Sequence, residues 1–404
     1  MSRSQIRNSS AGPTTMTIVV ALALAPAVVL GFARFAYALL LPPMRADLGW
    51  SLSTAGAMNS ANALGYLVGA LASAACARRF GARRSFLIAF AVTVASLLLT
   101  ALTGDVVVLL VLRAAAGISG AVAFITGAGL VAQIAQHSQP RKAVLFLGVY
   151  FAGGGAGIVI SGLTVPALLA VTHSTTGWRW GWVLLGIIGA IAFIPAWLGA
   201  KRSEEPPAQP RHDRRWPMRS FVPVLGAYGL FGVGYIAYMT FIVAFLHQAG
   251  AGAGEITAFW SVLGISSVAG AFLWVRPISH LRGANSVAVV LAAVALGAIL
   301  PLISRSVPIA LVSAIFFGGS FLAVVTSVTS VTRRSLPPHH WTPAIATLTV
   351  AFAVGQIIGP ELTGLLSEGA AGLKVGLGVS AALLVGAALT ALKQRPVGDL
   401  EPSA

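Results

Sequence analysis

Apolar residues run along this chain in long stretches broken by short polar turns, and a stretch of about 20 such residues is what a helix needs to cross the hydrocarbon of a bilayer. The first, Met16 to Leu41, is predicted to end at Pro42-Pro43, because proline removes a backbone donor and clashes with the preceding turn. Polar punctuation sets the next five spans at about Thr54–Ala77, Ser85–Thr103, Val106–Gln133, Ala143–Leu169 and Trp182–Ala200. After a basic, proline-bearing stretch from Lys201 to Ser220, six more follow: Phe221–Leu246, Ile256–Val275, Asn285–Ile303, Val307–Thr332, Thr342–Leu366 and Leu373–Leu392. None shows the ten-residue alternation of an outer-membrane barrel, and in lipid a helix alone satisfies every backbone group within one segment. The pattern predicts an all-α polytopic membrane protein of twelve transmembrane helices. They form two pseudo-symmetric six-helix bundles, residues 16–200 and 221–392, joined by a solvated cytoplasmic linker at 201–220.

Composition agrees: 57 % of the 404 residues are hydrophobic and 9 % charged, more apolar than a soluble core of this size requires. A net charge of +16 could suggest nucleic acid, but its distribution does not. With both termini cytoplasmic, only Arg45, Arg179, Arg305 and Lys374 fall on the opposite side, and Arg34 and Arg113 fall within spans. All other basic residues lie in cytoplasmic segments, as the positive-inside rule requires. The location implied is a cytoplasmic membrane. The single cysteine, Cys76, excludes an intrachain disulfide framework. Arg3, Arg7 and Ala36-Tyr37-Ala38 have the form of a signal peptide, but the apolar run is too long, so the first helix is read as uncleaved.

Candidate chemistry starts from the two guanidiniums, Arg34 in Gly31-Phe32-Ala33-Arg34-Phe35-Ala36-Tyr37 and Arg113 in the fourth span. Arginine at membrane depth is costly, so it faces a bundle interior or wet cavity, unless it snorkels to the interface. Asn59, Asn62 and Tyr66 make a polar stripe on the second span; Asn62 can touch a solute or simply join two helices. On the seventh span Tyr228, Phe231, Tyr235 and Tyr238 make an aromatic face, a pattern that also serves plain packing. Thr326, Ser327, Thr329, Ser330 and Thr332 close the tenth span with hydroxyls that can bond back to their own helix. In the eleventh, Gln356 shares a face with Phe352 and Thr363. Glu361, the one carboxylate placed inside a span, points ~140° away at 100° per residue. Gly117, Gly157, Gly359 and Pro360 are assigned to close packing or bending. An enzyme would need clustered nucleophiles, bases or metal ligands at membrane depth, and no such cluster is read. His339-His340, beside Pro337-Pro338, is taken as loop.

Twelve spans in two halves with a basic middle linker resemble the major facilitator superfamily. The turn Arg78-Arg79-Phe80-Gly81-Ala82-Arg83-Arg84 is similar to that superfamily's loop between helices 2 and 3, with Arg78 where an acidic residue is usual. Gly81, Arg83 and Arg84 are then the residues of a conformational loop. Arg113 with Gly117 resembles the helix 4 arginine motif, and Trp178-Arg179-Trp180 the stretch leading into helix 6. The helix 5 antiporter motif is only approximated: its glycines are present and its Gly-Pro pair is not. Gly31 to Tyr37 followed by Leu41-Pro42, Asn62-Ala63-Leu64-Gly65-Tyr66, and Gly355 to Pro360 are similar to the YbfB/YjiJ-like branch.

The resemblance implies a bacterial inner-membrane permease whose substrate lies between the halves near the midplane. We expect secondary active transport of a small solute by alternating access, proton-coupled, with an anionic or amphiphilic substrate. The expected path residues are Arg34, Asn62, Tyr66, Arg113, Tyr235, Tyr238 and Gln356, with Glu361 as the proton-coupling candidate, or else an ordinary solvated group near the outer interface. The lipid bilayer and protons are the other partners; no cofactor, metal or nucleic acid is expected, and the chain is taken as a monomer. The competing reading is a membrane sensor on the same fold that binds without transporting.

Overall fold

A computed structural model of the chain describes residues 13–136, 138–172, 174–205, 216–281, 283–369 and 372–394. The middle of the expected linker, 206–215, lies outside them. Twelve helices are long and apolar enough to cross a membrane. The first, α1, has three successive pieces, Pro13–Pro26, a π-helical Ala27–Phe35, and Tyr37–Leu48. There follow α2 (Leu52–Phe80), α3 (Ala82–Thr100), α4 (Val106–Gln136), α5 (Pro140–Thr172) and α6 (Gly177–Arg202). After them come α7 (Val222–Gln248), α8 (Ala253–Leu273), α9 (Asn285–Ile303), α10 (Val307–Ser335), α11 (Pro338–Leu366) and α12 (Leu373–Leu392).

Three expected boundaries are corrected. Helix α1 runs through Pro42-Pro43 and stops at Gly49, whose φ of +65° lets its N–H bond back to the Arg45 carbonyl. Proline costs a donor but is tolerated where neighbours cover the freed carbonyls, whereas the left-handed turn that glycine takes without a Cβ clash ends the ladder. The Trp178-Arg179-Trp180 stretch lies inside the first turn of α6. There the Trp178 indole donates to Asp47 Oδ2 at 2.8 Å, which buries the ring at the end of α1. His339 and His340 sit in the first turn of α11, not in a loop.

The helices sort by contact into α1–α6 and α7–α12. An even number of crossings leaves both chain ends on one side, the proximal side. Glycine brings the helices together. Where α2 crosses α4, Gly65 lies against the main chain of Ala114, Gly69 against Ile118, and Gly117 against Asn62 and Tyr66. In α5, Gly153 and Gly157 face the α1 carbonyls of Ala23 and Ala27, while Gly155 and Gly162 face Ser267 and Trp260 of α8 in the other bundle. Glycine-dense α5 therefore serves two close crossings at once, which offsets its low helix propensity. The second inter-bundle seam joins α2 to α11, with Gly56 against the Pro360 carbonyl and Gly364 against that of Leu52, both on the distal side. Gly355 and Gly359 seat α11 on α7 at Gly229 and Val233.

Candidate substrate site between the bundles

The π-helical stretch of α1 lies between Pro26, which interrupts the α ladder, and Ala36, whose N–H bonds to the Gly31 carbonyl. Wide turns of this kind recur at functional positions. Here they carry Arg34, 4 % exposed, with its guanidinium turned towards the second bundle. Arg34 Nη2 donates to Gln356 Oε1 on α11 at 2.5 Å, and Gln356 Nε2 donates to the Tyr235 hydroxyl on α7 at 3.0 Å. The Tyr66 ring of α2 lies 4.9 Å from the guanidinium carbon, a cation–π contact. Four expected path residues, Arg34, Tyr66, Tyr235 and Gln356, thus meet across the seam between the bundles. Arg34 Nε is buried without a hydrogen-bond partner.

Arg113 is placed differently. Its Nη1 donates to the Ala33 carbonyl in the wide turn, its Nε to the Met58 carbonyl at 3.3 Å, and its Nη2 to Asn59 Oδ1 at 3.2 Å. Tyr37 and Trp182 flank it at 4.7 and 5.8 Å. The expected second anion hook is occupied on three sides by its own bundle and ties α4 to α1 and α2. Asn62 likewise spends its amide on the Arg113 carbonyl, at 3.1 Å, and serves the α2–α4 crossing. Tyr238 does not reach the cluster: its hydroxyl pairs with Ser313 at 2.6 Å and its ring stacks on Phe317 at 4.0 Å, within the second bundle. Glu361 is exposed, one turn beyond Gln356, and forms no ion pair among the described residues. The guanidinium neighbour expected for its coupling role is absent there.

Two residues outside the expected path take part. Asn59 holds Arg113 with its oxygen and donates through Nδ2 to Thr240 Oγ1 of α7 at 2.6 Å, a polar bridge between bundles. Glu205, just past α6, accepts from the backbone N–H of Ala82 at 2.9 Å and of Arg83 at 3.2 Å, capping α3.

These observations describe a membrane bundle with a polar cluster on its central seam, and the comparison with known families decides what it is. Residues 26–392 match the family described as "Uncharacterised MFS-type transporter YbfB". The chain belongs to that family. No curated protein matches it. Among solved structures, this YbfB-type chain is similar to a bacterial homolog of the human lysosomal transporter Spinster in an inward-facing and occupied conformation. The TM-score is 0.75 at 17 % identity, covering 98 % of this chain and 100 % of that one. It is also similar to the nucleoside transporter NupG as a D323A mutant, with TM-score 0.75 at 13 % identity over 94 % and 99 % of the two chains. The fold is that of the major facilitator superfamily, and the protein is a membrane transporter.

In this YbfB-type chain the loop of Gly81, Arg83 and Arg84 is tied down inside the first bundle. Gly81 turns with φ +85°, Arg83 Nη2 donates to the Ser203 carbonyl at 2.5 Å, and Arg84 is exposed. Glu205 therefore places a negative charge against this arginine-rich loop.

On the distal side a carboxylate joins the bundles. The Ser53 N–H, in the first turn of α2, donates to Glu368 Oε1 at 3.0 Å, just beyond the end of α11. Hydrogen bonds from Ser53, its side chain first and its N–H second, hold this exposed carboxyl below its ordinary value, and Arg45 adds to the effect. The charged form is the one bound. The contact is therefore present above the ordinary carboxylate pKa of about 4.3 and is lost as pH falls through the lowered value. We expect the Ser53–Glu368 contact to be insensitive to pH between about 5 and 8, and Glu368→Gln to loosen the distal ends of the bundles throughout. Spin labels on cysteines replacing exposed Leu102 and Ile303, in a Cys76→Ser background, report the distance. A Glu368→Gln distribution matching the wild type would remove the latch.

Proposed function

We propose that this protein is a secondary active transporter that carries a small organic anion between its two bundles by alternating access, with Arg34 as the group that meets the anion. The observation that carries the reading is a guanidinium, nearly fully buried at the inter-bundle seam, with an unpartnered Nε and uncharged groups, the Gln356 amide and the Tyr66 ring, against it. A buried charge is ordinarily paired, and removing ions from water costs several kcal/mol per ion, of order, even after relaxation. A site that keeps such a charge unpaired is suited to a partner that comes and goes. Arginine stays protonated at any physiological pH, so it acts as a fixed hook and does not itself carry a proton. Proton coupling is assigned to a separate group, and Glu361, the carboxylate on α11, is the residue to test for it.

Orientation follows from charge: the proximal side carries the arginine loop of Arg78, Arg79, Arg83 and Arg84 and is taken as cytoplasmic in a bacterial inner membrane. With the α2–α11 seam and the Ser53–Glu368 contact closed distally, substrate would exchange with the cytoplasmic side from this arrangement.

The test is flux in proteoliposomes, screened across organic anions with and without an imposed pH gradient. Arg34→Ala is expected to lower transport by about 10- to 100-fold, the worth of one charge-assisted contact of ~1.5–3 kcal/mol. Membrane insertion is expected to be unchanged. Wild-type flux in Arg34→Ala would end the reading, and Glu361→Gln with intact pH-gradient dependence would end the coupling assignment.

A further inference from the structure

We propose that the Arg34 site takes a single carboxylate borne on a flat aromatic body, and that Gln356 is the placeholder this carboxylate displaces. The inference rests on the transporter reading and adds the substrate class and the residue that yields to it.

Charge sets the first limit. Of the two guanidiniums within spans, Arg113 already donates to Ala33, Met58 and Asn59, which leaves Arg34 alone open to a ligand. One positive charge offsets one negative charge. A dianion would bring a second charge into a buried seam with nothing there to offset it, at a cost that buried charges rarely bear.

Geometry sets the second limit. A planar carboxylate binds an arginine side-on through Nε and Nη2, two parallel N–H groups at carboxylate spacing. In Arg34 these are the two atoms of interest: Nε is buried and unpartnered, and Nη2 holds the neutral Oε1 of Gln356. The amide oxygen fills one half of a two-oxygen site. An ionised carboxylate, bound about twice as strongly as a neutral acceptor, would take both halves and release Gln356 to the Tyr235 hydroxyl that already holds its Nε2. Because Arg34 and Gln356 belong to different bundles, the same exchange alters the link between them and couples loading to the seam.

The surroundings set the third limit. A stack of rings stands beside the hook on the seam. Tyr235 lies nearly parallel to Phe231 at 4.9 Å, to Phe352 at 5.5 Å and to Phe321 at 6.0 Å. Phe352 in turn stacks on Tyr228 at 4.6 Å and 7°. This ladder runs from the level of Arg34 towards the proximal side, and Tyr66 faces it from α2 beside the guanidinium. Tyr66 and Phe352 are the members that keep partial exposure. One ring on the guanidinium and one stacked on the Tyr235 that holds Gln356 favour a planar π body, since offset stacking adds to simple area burial.

The test uses purified protein in detergent and in proteoliposomes with four probes: benzoate, hexanoate, phthalate and benzamide. Saturable binding of benzoate is expected at least tenfold tighter than that of the other three, and benzoate should exchange across the vesicle membrane. Equal affinity for hexanoate overturns the aromatic part, and tighter binding of phthalate overturns the single-charge part. Failure of all four to bind overturns the whole.

Gln356→Glu places a permanent carboxylate on Arg34 and is expected to abolish benzoate binding. Its wild-type elution and thermal unfolding would show it folded. Gln356→Ala removes the competitor and is expected to tighten benzoate binding at least threefold. Full benzoate binding by Gln356→Glu, or weaker binding by Gln356→Ala, overturns the placeholder role. If another class of anion binds and its binding still depends on Arg34, the transporter reading stands and only this inference falls.

Discussion

Replacing Arg113 with methionine is expected to destabilise the protein by about 3–5 kcal/mol, the range for removing one partner of a buried charged network. Arg34→Met is expected to unfold at or above the wild-type temperature. Both residues are arginines buried to a similar degree, so burial alone does not separate them; their partners do. Arg113 fills the Ala33 and Met58 carbonyls and the Asn59 oxygen, and methionine can fill none of them. Asn59, once released, is also free to leave Thr240, so the loss reaches the second bundle. Arg34 instead has uncharged neighbours, the Gln356 amide and the Tyr66 ring, and one empty donor, and removing it relieves a buried charge at the loss of one hydrogen bond and one cation–π contact. Thermal unfolding in detergent, run beside flux assays, distinguishes the two: Arg113→Met loses stability first and transport with it, whereas Arg34→Met loses transport alone. Equal unfolding temperatures for Arg113→Met and the wild type would refute the structural assignment.

The division of labour between these arginines marks where the sequence stops being readable. Apolar run length places the spans because hydrocarbon thickness and helix rise leave little freedom, and the bounds of α9 and α12 follow directly from it. The glycines of α2, α4 and α5 announce close crossings, though not which neighbour each one meets. The end of α1 is misread because proline looks like a stop, whereas Gly49 carries the actual signal about two turns later. Arg113 reads as a substrate hook because its partners are main-chain carbonyls, which every residue has and no sequence pattern advertises. The wide turn that offers the Ala33 carbonyl is equally silent, since Ala27–Phe35 contains nothing that an ordinary α-helix would refuse. Glu205 did leave a trace: with Glu204 it forms an acidic pair just after α6, and four arginines lie in the turn after α2. That complementarity of charge marks the anchor of the loop in the sequence. Tyr235 and Tyr238 share one helix, and only the identities of their neighbours, Gln356 for one and Ser313 for the other, assign them to different tasks.

Gly117→Val is expected to be severely damaging, lowering the yield of folded protein at least tenfold. Gly378→Ala in α12 is expected to be neutral or to stabilise by about 0.5–1 kcal/mol. The contrast rests on what a new Cβ would meet. At Gly378 there is open space. At Gly117 it would run into the Asn62 carbonyl and the Tyr66 N–H on α2, and backbone atoms cannot swing aside as a side-chain tip can. Overpacking ordinarily costs 1–3 kcal/mol, of order, and a collision with main chain belongs at or above the top of that range. Relief requires α4 to move away from α2, and the Gly65 and Gly69 contacts on the same crossing resist this. Any separation pulls Arg113 from Met58 and Asn59, and tilts the strip of α2 that carries Tyr66 beneath Arg34. The milder Gly117→Ala is therefore expected to fold at reduced yield and to bind anion more weakly than its stability loss alone would explain. Fluorescence size-exclusion yield, with benzoate binding measured on the monodisperse fraction, provides the readout. Wild-type yield for Gly117→Val would mean that α2 and α4 do not pack through this glycine, and the placement of the arginine site against α2 would lose its support.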